Sequence, residues 1–92
     1  LPLRSEINEE ISSRTEIYPN PSNGKFQIGV AQEISTEVEV EVYNILGTEI
    51  YREVFNNTNG KLEMDLKDLI PGQYIIRIKT DSFIETKKLF IN

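Results

Sequence analysis

From Thr15 onward, apolar and polar residues alternate with a period of two, and Gly, Pro and Asn interrupt the alternation about every ten residues. The alternation is clearest at 37–43, where Val38, Val40 and Val42 alternate with glutamates. Because successive side chains of a strand point to opposite faces, each such stretch has one apolar and one polar face. Regularly spaced short strands are typical of a sandwich or barrel, so we predict an all-β fold.

Seven strands are predicted between Thr15 and Asn92. They lie at 16–18, 25–30, 37–43, around 50–54, 62–66, 73–80 and 83–91. No segment has the length and periodicity of the crossover helix that parallel strands require, so the short connections favour antiparallel pairing. We therefore predict an antiparallel Ig-like β-sandwich of about seven strands.

The turn at 44–47 sets the predicted register of the fourth strand. A type I turn followed by Gly47 in the left-handed region adds a bulge that shifts the pairing by one residue. With that shift, we expect Ile50 and Val54 to face the valines of the third strand and Arg52 to point inward. A long charged side chain in that position must reach solvent, so this strand is placed near a sheet edge. The final strand has apolar residues at both parities, which predicts a bulge or an edge position.

Residues 1–14 lack the strand pattern and are predicted to be a linker or disordered tether, which places the domain at 15–92. The segment is mostly polar and acidic, and Ile7 and Ile11 form at most one short helical stripe. Its first residues do not combine a basic region with an apolar one, so they are not a secretory signal peptide. If the protein is exported, we expect its signal upstream in a longer precursor.

The composition argues against several kinds of chemistry. The chain contains no His and no Cys, which removes disulfides, thiolate nucleophiles, zinc-finger ligands and the commonest general base. Its serines are not set in a G-x-S-x-G elbow, and its glycines do not cluster as in a phosphate loop. We predict no catalytic residue, no metal site and no cofactor, and hence no enzyme.

Charge and hydropathy bear on the expected partners. Fifteen acidic residues against ten basic ones give a net charge of −5, which repels a phosphate backbone, so nucleic acid is not an expected partner. No apolar run approaches the roughly 20 residues of a membrane-spanning helix, so no transmembrane segment is predicted.

Four blocks of residues, in order along 16–92, carry a resemblance to a known family. They are the turn Pro19, Asn20, Pro21, Gly24 and Phe26; the hairpin Asn44 and Gly47; the strand start Leu69, Gly72 and Tyr74; and the basic pair Lys87 and Lys88. Each block alone is ordinary turn chemistry. Taken together, they resemble the type A C-terminal sorting domain of the bacterial type IX (Por) secretion system.

The resemblance implies a non-catalytic address label. In that family, the domain directs an attached cargo protein through the outer-membrane translocon, and a sortase-like peptidase generally removes the domain and links the cargo to an anionic lipopolysaccharide. The implied partners are an N-terminal cargo domain, the type IX translocon and this attachment machinery, and the implied location is secreted or cell-surface after passage through the periplasm. The cut would lie in or near 1–14. The residues that the resemblance nominates for recognition are Pro19, Asn20, Pro21, Gly24, Gly47, Gly72, Tyr74, Lys87 and Lys88.

Several of these features also have structural explanations. Pro and Gly in the turn at 19–24 have sufficient backbone reasons to be there, and Lys87 and Lys88 form only a small exposed patch. The glutamates of 37–41 could bind Ca²⁺ or a basic partner, but a solvated face that resists edge-to-edge aggregation is the favoured interpretation.

The alternative function is an Ig-like adhesive or carbohydrate-binding accessory module of a secreted enzyme. Tyr43 and Tyr51 could stack on a sugar if both faced outward, although packing at the rim of the core is favoured. The same fold hosts both functions, so the fold alone does not separate them.

Overall fold

The structure is a computed structural model that describes residues 14–30, 37–56 and 59–92. These residues form seven strands. In chain order the strands are β1 (Thr15–Tyr18), β2 (Lys25–Val30), β3 (Val38–Tyr43), β4 (Glu49–Phe55), β5 (Lys61–Asp65), β6 (Gly72–Lys79) and β7 (Ile84–Ile91). All pairings between these strands are antiparallel, which confirms the predicted all-β fold with seven strands.

The strands form two sheets that pack as a sandwich. One sheet has the order β1-β2-β5 and the other the order β4-β3-β6-β7. Hairpins join β1 to β2, β3 to β4 and β6 to β7, while the other connections cross between the sheets. This is an immunoglobulin-like arrangement in which the fourth strand pairs with β3 in the four-stranded sheet.

The core lies between the sheets and is formed by alternate residues of the strands. Its buried members are Phe26, Ile28, Val30, Val38, Val40, Val42, Leu62, Met64, Leu66, Tyr74, Ile76, Ile78, Leu89 and Ile91. Removing a large aliphatic side chain from water contributes about 1.5–3 kcal/mol, so this set is the main source of stability in a chain without disulfides. Leu69, in the loop before β6, is partly buried and packs against the core.

The register of β4 confirms the predicted bulge and corrects the predicted faces. The pairing shifts by one residue between Val42 and Tyr43, as expected for the hairpin. Val42, however, lies opposite Tyr51, so the inward face of β4 carries Tyr51 and Phe55, both packed against the core. The expectation that Val54 faces the valines was therefore wrong, since it lies opposite Glu39, and Ile50 is the extra residue of the bulge, with no partner on β3.

Arg52 likewise points to the outer face of the sheet and not inward. It lies opposite Glu41, and its side chain is 52% exposed. The physical reason is twofold: two aromatic rings bury more apolar area than Ile50 and Val54 do, and the outward position gives the guanidinium carboxylate partners. The predicted edge position of β4 is confirmed.

The last strand is an edge strand without a bulge. Its register with β6 runs without interruption from Gly72 opposite Ile91 to Lys79 opposite Ile84. Leu89 and Ile91 are buried on the inner face, while Ile84 and Phe90 lie on the outer face and stay exposed. Of the two explanations for its mixed pattern, the edge position is thus correct.

The beginning of β1 is fixed to β7. The backbone N–H of Arg14 and the hydroxyl of Thr15 each donate a hydrogen bond of 2.7 Å to the carboxylate of Glu85. The Arg14 guanidinium also lies 5.8 Å from the centre of the Phe83 ring. The rest of the predicted tether, 1–13, lies outside the described residues, so the boundary at Thr15 stays a prediction.

Candidate recognition site

Three of the four motif blocks are brought together at one end of the sandwich, beside the end of β7. Gly72 at the start of β6 lies opposite Ile91 at the end of β7, and Ser22 forms a parallel bridge with Ile91. The β3–β4 turn extends from the same end, because Tyr43 lies opposite Ile75 near the start of β6. We call this surface the motif end, made of residues 19–24, 44–48, 66–72 and 90–92.

Asn20 binds the free edge of β7 with both ends of its side-chain amide. Its Nδ2 donates to the carbonyl of Lys88 at 2.8 Å, and its Oδ1 accepts the N–H of Phe90 at 2.9 Å. A flanking proline on each side fixes φ and supplies no N–H of its own. The amide therefore takes the place that a neighbouring strand would occupy.

Ser22 continues this contact toward the end of β7. Its N–H donates to the carbonyl of Phe90 at 2.9 Å, and its carbonyl accepts the N–H of Asn92 at 2.8 Å. The hydroxyl accepts the N–H of Gly24 at 3.1 Å, and the residue is buried. Asn20 and Ser22 together cover the second half of the β7 edge, and we call this pair of residues the clasp.

Gly24 stands where no side chain fits. Its φ is +107°, and a Cβ built there would lie 2.6 Å from the Cα of Lys67. Its carbonyl accepts the N–H of Leu66 at 2.7 Å, which joins the turn to the end of β5. The position needs glycine for both its backbone conformation and its close approach to the neighbouring chain.

The β3–β4 turn is organised by Asn44. Its Oδ1 accepts the N–H groups of Leu46 and Thr48, each at 3.0 Å, and its carbonyl accepts the N–H of Gly47 at 3.0 Å. Gly47 has a φ of +90°, and nothing lies within 4 Å of a Cβ built there. An asparagine side chain that accepts two backbone N–H groups is the expected stabiliser of such a turn.

Tyr74 connects β6 to the loop before it. The ring is buried, and the hydroxyl donates to the carbonyl of Ile70 at 2.5 Å. Gly72 begins β6 two residues earlier. This nominated pair therefore shapes the 66–72 loop, and Tyr74 leaves little of its surface for a partner.

Lys87 and Lys88 do not form one patch. As consecutive strand residues, they point to opposite faces: Lys87 lies opposite Ile76 on the inner face and Lys88 opposite Ile75 on the outer face. Lys87 is half-buried beside the groove that borders β1, and Lys88 is exposed. The prediction of an exposed polar pair therefore holds for Lys88 alone.

Three aliphatic side chains stand exposed at the motif end. Leu46 is 86% exposed, Ile70 77% and Ile45 70%. Their loops flank the neighbouring strands β3 and β6. We call these three side chains the aliphatic rim; sequence reasoning missed them, because Ile45 and Leu46 read simply as turn residues and Ile70 as part of a crossing loop.

The outer face of the four-stranded sheet carries an ion-pair cluster centred on Glu41, which is only 1% exposed. Arg52 Nη2 lies 3.3 Å and Lys79 Nζ 3.7 Å from its Oε2. Arg77 Nε lies 3.0 Å from Oε1, and the Tyr43 hydroxyl donates to the same oxygen at 2.8 Å. The expectation of a solvated glutamate row is thus wrong at Glu41.

The cluster sets the protonation of its members. Burial acts to raise the pKa of Glu41, but the Tyr43 hydrogen bond and the charges of Lys79, Arg77 and Arg52 together hold it below its ordinary value. The same hydrogen bond raises the pKa of Tyr43. Glu41 is therefore a carboxylate matched by cations from two neighbouring strands.

Tyr43 and Tyr51 lie on opposite faces and form no shared platform. Tyr43 belongs to the outer face with Glu41, whereas Tyr51 packs against the core as favoured. The Tyr51 hydroxyl donates to Glu53, and that hydrogen bond, more than burial, raises the pKa of Tyr51 to about 12.

A comparison with protein-family models finds a match to a family described as a secretion system C-terminal sorting domain, over residues 16–92. The match covers most of the chain. The chain belongs to this family. A comparison with curated proteins finds no significant match.

The family membership confirms the resemblance to the type IX sorting domain and the expected secreted or cell-surface location. Its members are in general non-catalytic. A sorting domain implies a cargo in the same precursor and the type IX machinery as partners. Within 14–30, 37–56 and 59–92, no group of three His, Cys, Asp or Glu could hold a metal ion. The described part of the sorting domain also has no helix of the length and hydropathy that a membrane span needs.

Proposed function

We propose that the motif end of this sorting domain is the surface that the type IX translocon recognises. The observation that carries the proposal is the gathering of three motif blocks, distant in sequence, at one end. Most nominated residues there have internal partners: Asn20 bonds to β7, Gly24 approaches Lys67 and Tyr74 bonds to Ile70. These residues build the end, and the aliphatic rim makes the contact.

The rim has the chemistry of a protein contact. Leu46 and Ile70 lose water-exposed apolar surface only if a partner covers them, and covering apolar surface gains about 25 cal/mol per Å². Residues 44–49 and 66–72 carry Glu49, Lys67 and Asp68, a net charge of −1 with no basic cluster, which disfavours an anionic membrane surface as the occupant. A pocket on the translocon fits both properties.

The test fuses residues 15–92 to a periplasmic reporter in a type IX-competent strain. The rim variant carries Leu46→Ser and Ile70→Ser. Its matched control is Ile84→Ser, which changes an aliphatic residue that is 59% exposed at the other end of β7. We expect the rim variant to unfold at the wild-type urea concentration yet to leave the reporter in the periplasm, while the control is exported. Wild-type export of the rim variant would contradict the proposal.

We further propose that the domain is cleaved from its cargo ahead of Thr15 and that a sortase-like enzyme attaches the cargo to the surface. The attachment of Arg14 and Thr15 to Glu85 supports this position, because a cut after Thr15 would remove part of β1. N-terminal sequencing of the released domain tests the position. A new N-terminus inside β1 would contradict it.

The alternative of a carbohydrate-binding module loses the aromatic platform on which it was based, since Tyr43 and Tyr51 lie on opposite faces. No described feature favours it over sorting.

A further inference from the structure

The two edges of the four-stranded sheet are treated differently. The β7 edge is covered at its end by the clasp, and Glu85 fixes the start of β1 beside it. At the other edge, β4 has β3 as its one hydrogen-bonded neighbour among the described residues. With seven residues, β4 offers a long row of backbone groups on that side.

The register identifies which β4 groups face outward. Backbone groups of alternate residues point to opposite sides of a strand. Phe90 points away from β6, because its N–H and C=O bond to the clasp. The backbone groups of Leu89 and Ile91 therefore face β6, and through the register the odd-numbered residues of β6 face β3. Val38, Val40 and Val42 in turn face β4, so the β4 residues opposite them are the ones that bond to β3.

The outward N–H and C=O groups of β4 beyond the bulge at Ile50 are therefore those of Arg52 and Val54. The hydrogen bond from Asn44 N–H to Thr48 O confirms that even-numbered residues of β3 face β4, and it lies on the other side of the bulge from Arg52 and Val54. The side chain of Val54 lies on the outer face, opposite Glu39, and is 44% exposed, and that of Ile50 at the bulge is 37% exposed. A strand added here would satisfy the backbone groups and cover the side chain of Val54.

We propose that the β4 edge binds an extended segment of a partner protein by strand addition, with an apolar residue opposite Val54 and a basic residue opposite Glu53. The basic position follows from charge. Glu53 is exposed, with the Tyr51 hydroxyl as a partner, and among the described residues no Lys or Arg nitrogen forms an ion pair with it within 4.0 Å. Arg52, in contrast, already forms ion pairs with Glu39, Glu41 and Glu49, so its charge does not favour an acidic residue opposite it.

A second copy of the chain is a poor occupant of this edge. Two β4 strands from two copies could pair antiparallel, with their core-facing sides on the same side of the joined sheet. Three registers of this kind pair five or more residues of each strand. The register centred on Tyr51 places Glu49 opposite Glu53 of the other copy. The register centred on Arg52 places the two Arg52 residues opposite each other, and the register centred on Glu53 does the same for the two Glu53 residues. Like charges directly opposite each other destabilise an antiparallel pair.

The test titrates the ¹⁵N-labelled 92-residue protein with the peptide acetyl-Ile-Val-Lys-Thr-Val-Val-Thr-amide, which places Lys opposite Glu53 when antiparallel to β4. The control peptide has Glu in place of that Lys. We expect saturable binding that shifts and protects the amides of Arg52 and Val54, at least about fivefold tighter for the Lys peptide.

Two variants make the result specific. Glu53→Lys is expected to reverse the preference between the peptides. Val54→Pro removes an outward N–H while keeping every bond to β3, so it is expected to abolish binding without lowering the thermal midpoint. Absence of saturable binding at millimolar peptide, protection at another edge, or concentration-dependent shifts without peptide would each overturn the proposal. None of these readouts involves export, so they stand apart from the sorting proposal.

Discussion

Gly24 has the least freedom to change among the residues of the motif end, since its φ is positive and the Lys67 backbone leaves no room for a Cβ. We expect Gly24→Ala to lower the free energy of unfolding by at least about 2 kcal/mol, because strain and a backbone clash add. Gly47→Ala is the matched control: it has a positive φ but open space, so it should lose about 1 kcal/mol. Urea unfolding measures both, and equal losses would contradict this account.

Glu41 makes stability depend on pH in the acid range. Its pKa is lowered by folding, so its contribution is present above the ordinary value of about 4.5 and is lost as pH falls through the folded value. We expect Glu41→Gln to cost about 1–2 kcal/mol at pH 7 and to flatten the fall in stability below pH 4.5. Urea unfolding from pH 3 to 7 checks this, with Glu37→Gln, at an exposed position, as control. An unchanged acid slope in Glu41→Gln would refute it.

At the scale of elements, periodicity was enough to place the strands but not to assign both faces of β4. The alternation at 37–43 predicts β3 to within one residue of its observed start. Its valines all have the same parity, so only one face of the strand can pack against the core. In β4, Ile50, Tyr51, Val54 and Phe55 put apolar residues at both parities. The choice between them depends on where the bulge falls and on the cations that cover Glu41, and both are contacts between strands.

The candidate site shows the same division between local and distant information. The turn residues were found in the sequence because Pro, Asn and Gly have local backbone reasons to occur there. The aliphatic rim was not, because its exposure follows from how distant loops are placed by the register of β3, β6 and β7.

The corrected faces of β4 make a direct prediction. Phe55→Ala should lower the free energy of unfolding by about 2 kcal/mol, since the half-buried ring packs against the core. Val54→Ala, at the neighbouring exposed position, should change it by no more than about 0.5 kcal/mol. Urea unfolding of the two variants decides between the registers, because the register expected from sequence would give the reverse order.

At the scale of the whole molecule, the predicted boundary can be tested by truncation. A fragment of residues 14–92 keeps the contacts of Arg14 and Thr15 with Glu85, so its free energy of unfolding should match that of the full chain within about 0.5 kcal/mol. Removing residues through Tyr18 deletes β1 and should abolish cooperative unfolding. Unfolding of both fragments is monitored by circular dichroism. A large loss of unfolding free energy in the fragment 14–92 would place residues 1–13 within the folded unit.

Because of the clasp, the conformation of the turn at 19–24 depends on the presence of β7. Asn20 bonds to residues 68 and 70 positions later in the chain, so its side chain reaches its final place only after β7 has been made and has docked on β6. A chain that stalls or misfolds before that point has the motif sequence but not the motif surface. A partner that binds the motif end therefore binds only molecules that have completed folding, because incompletely folded molecules lack this surface.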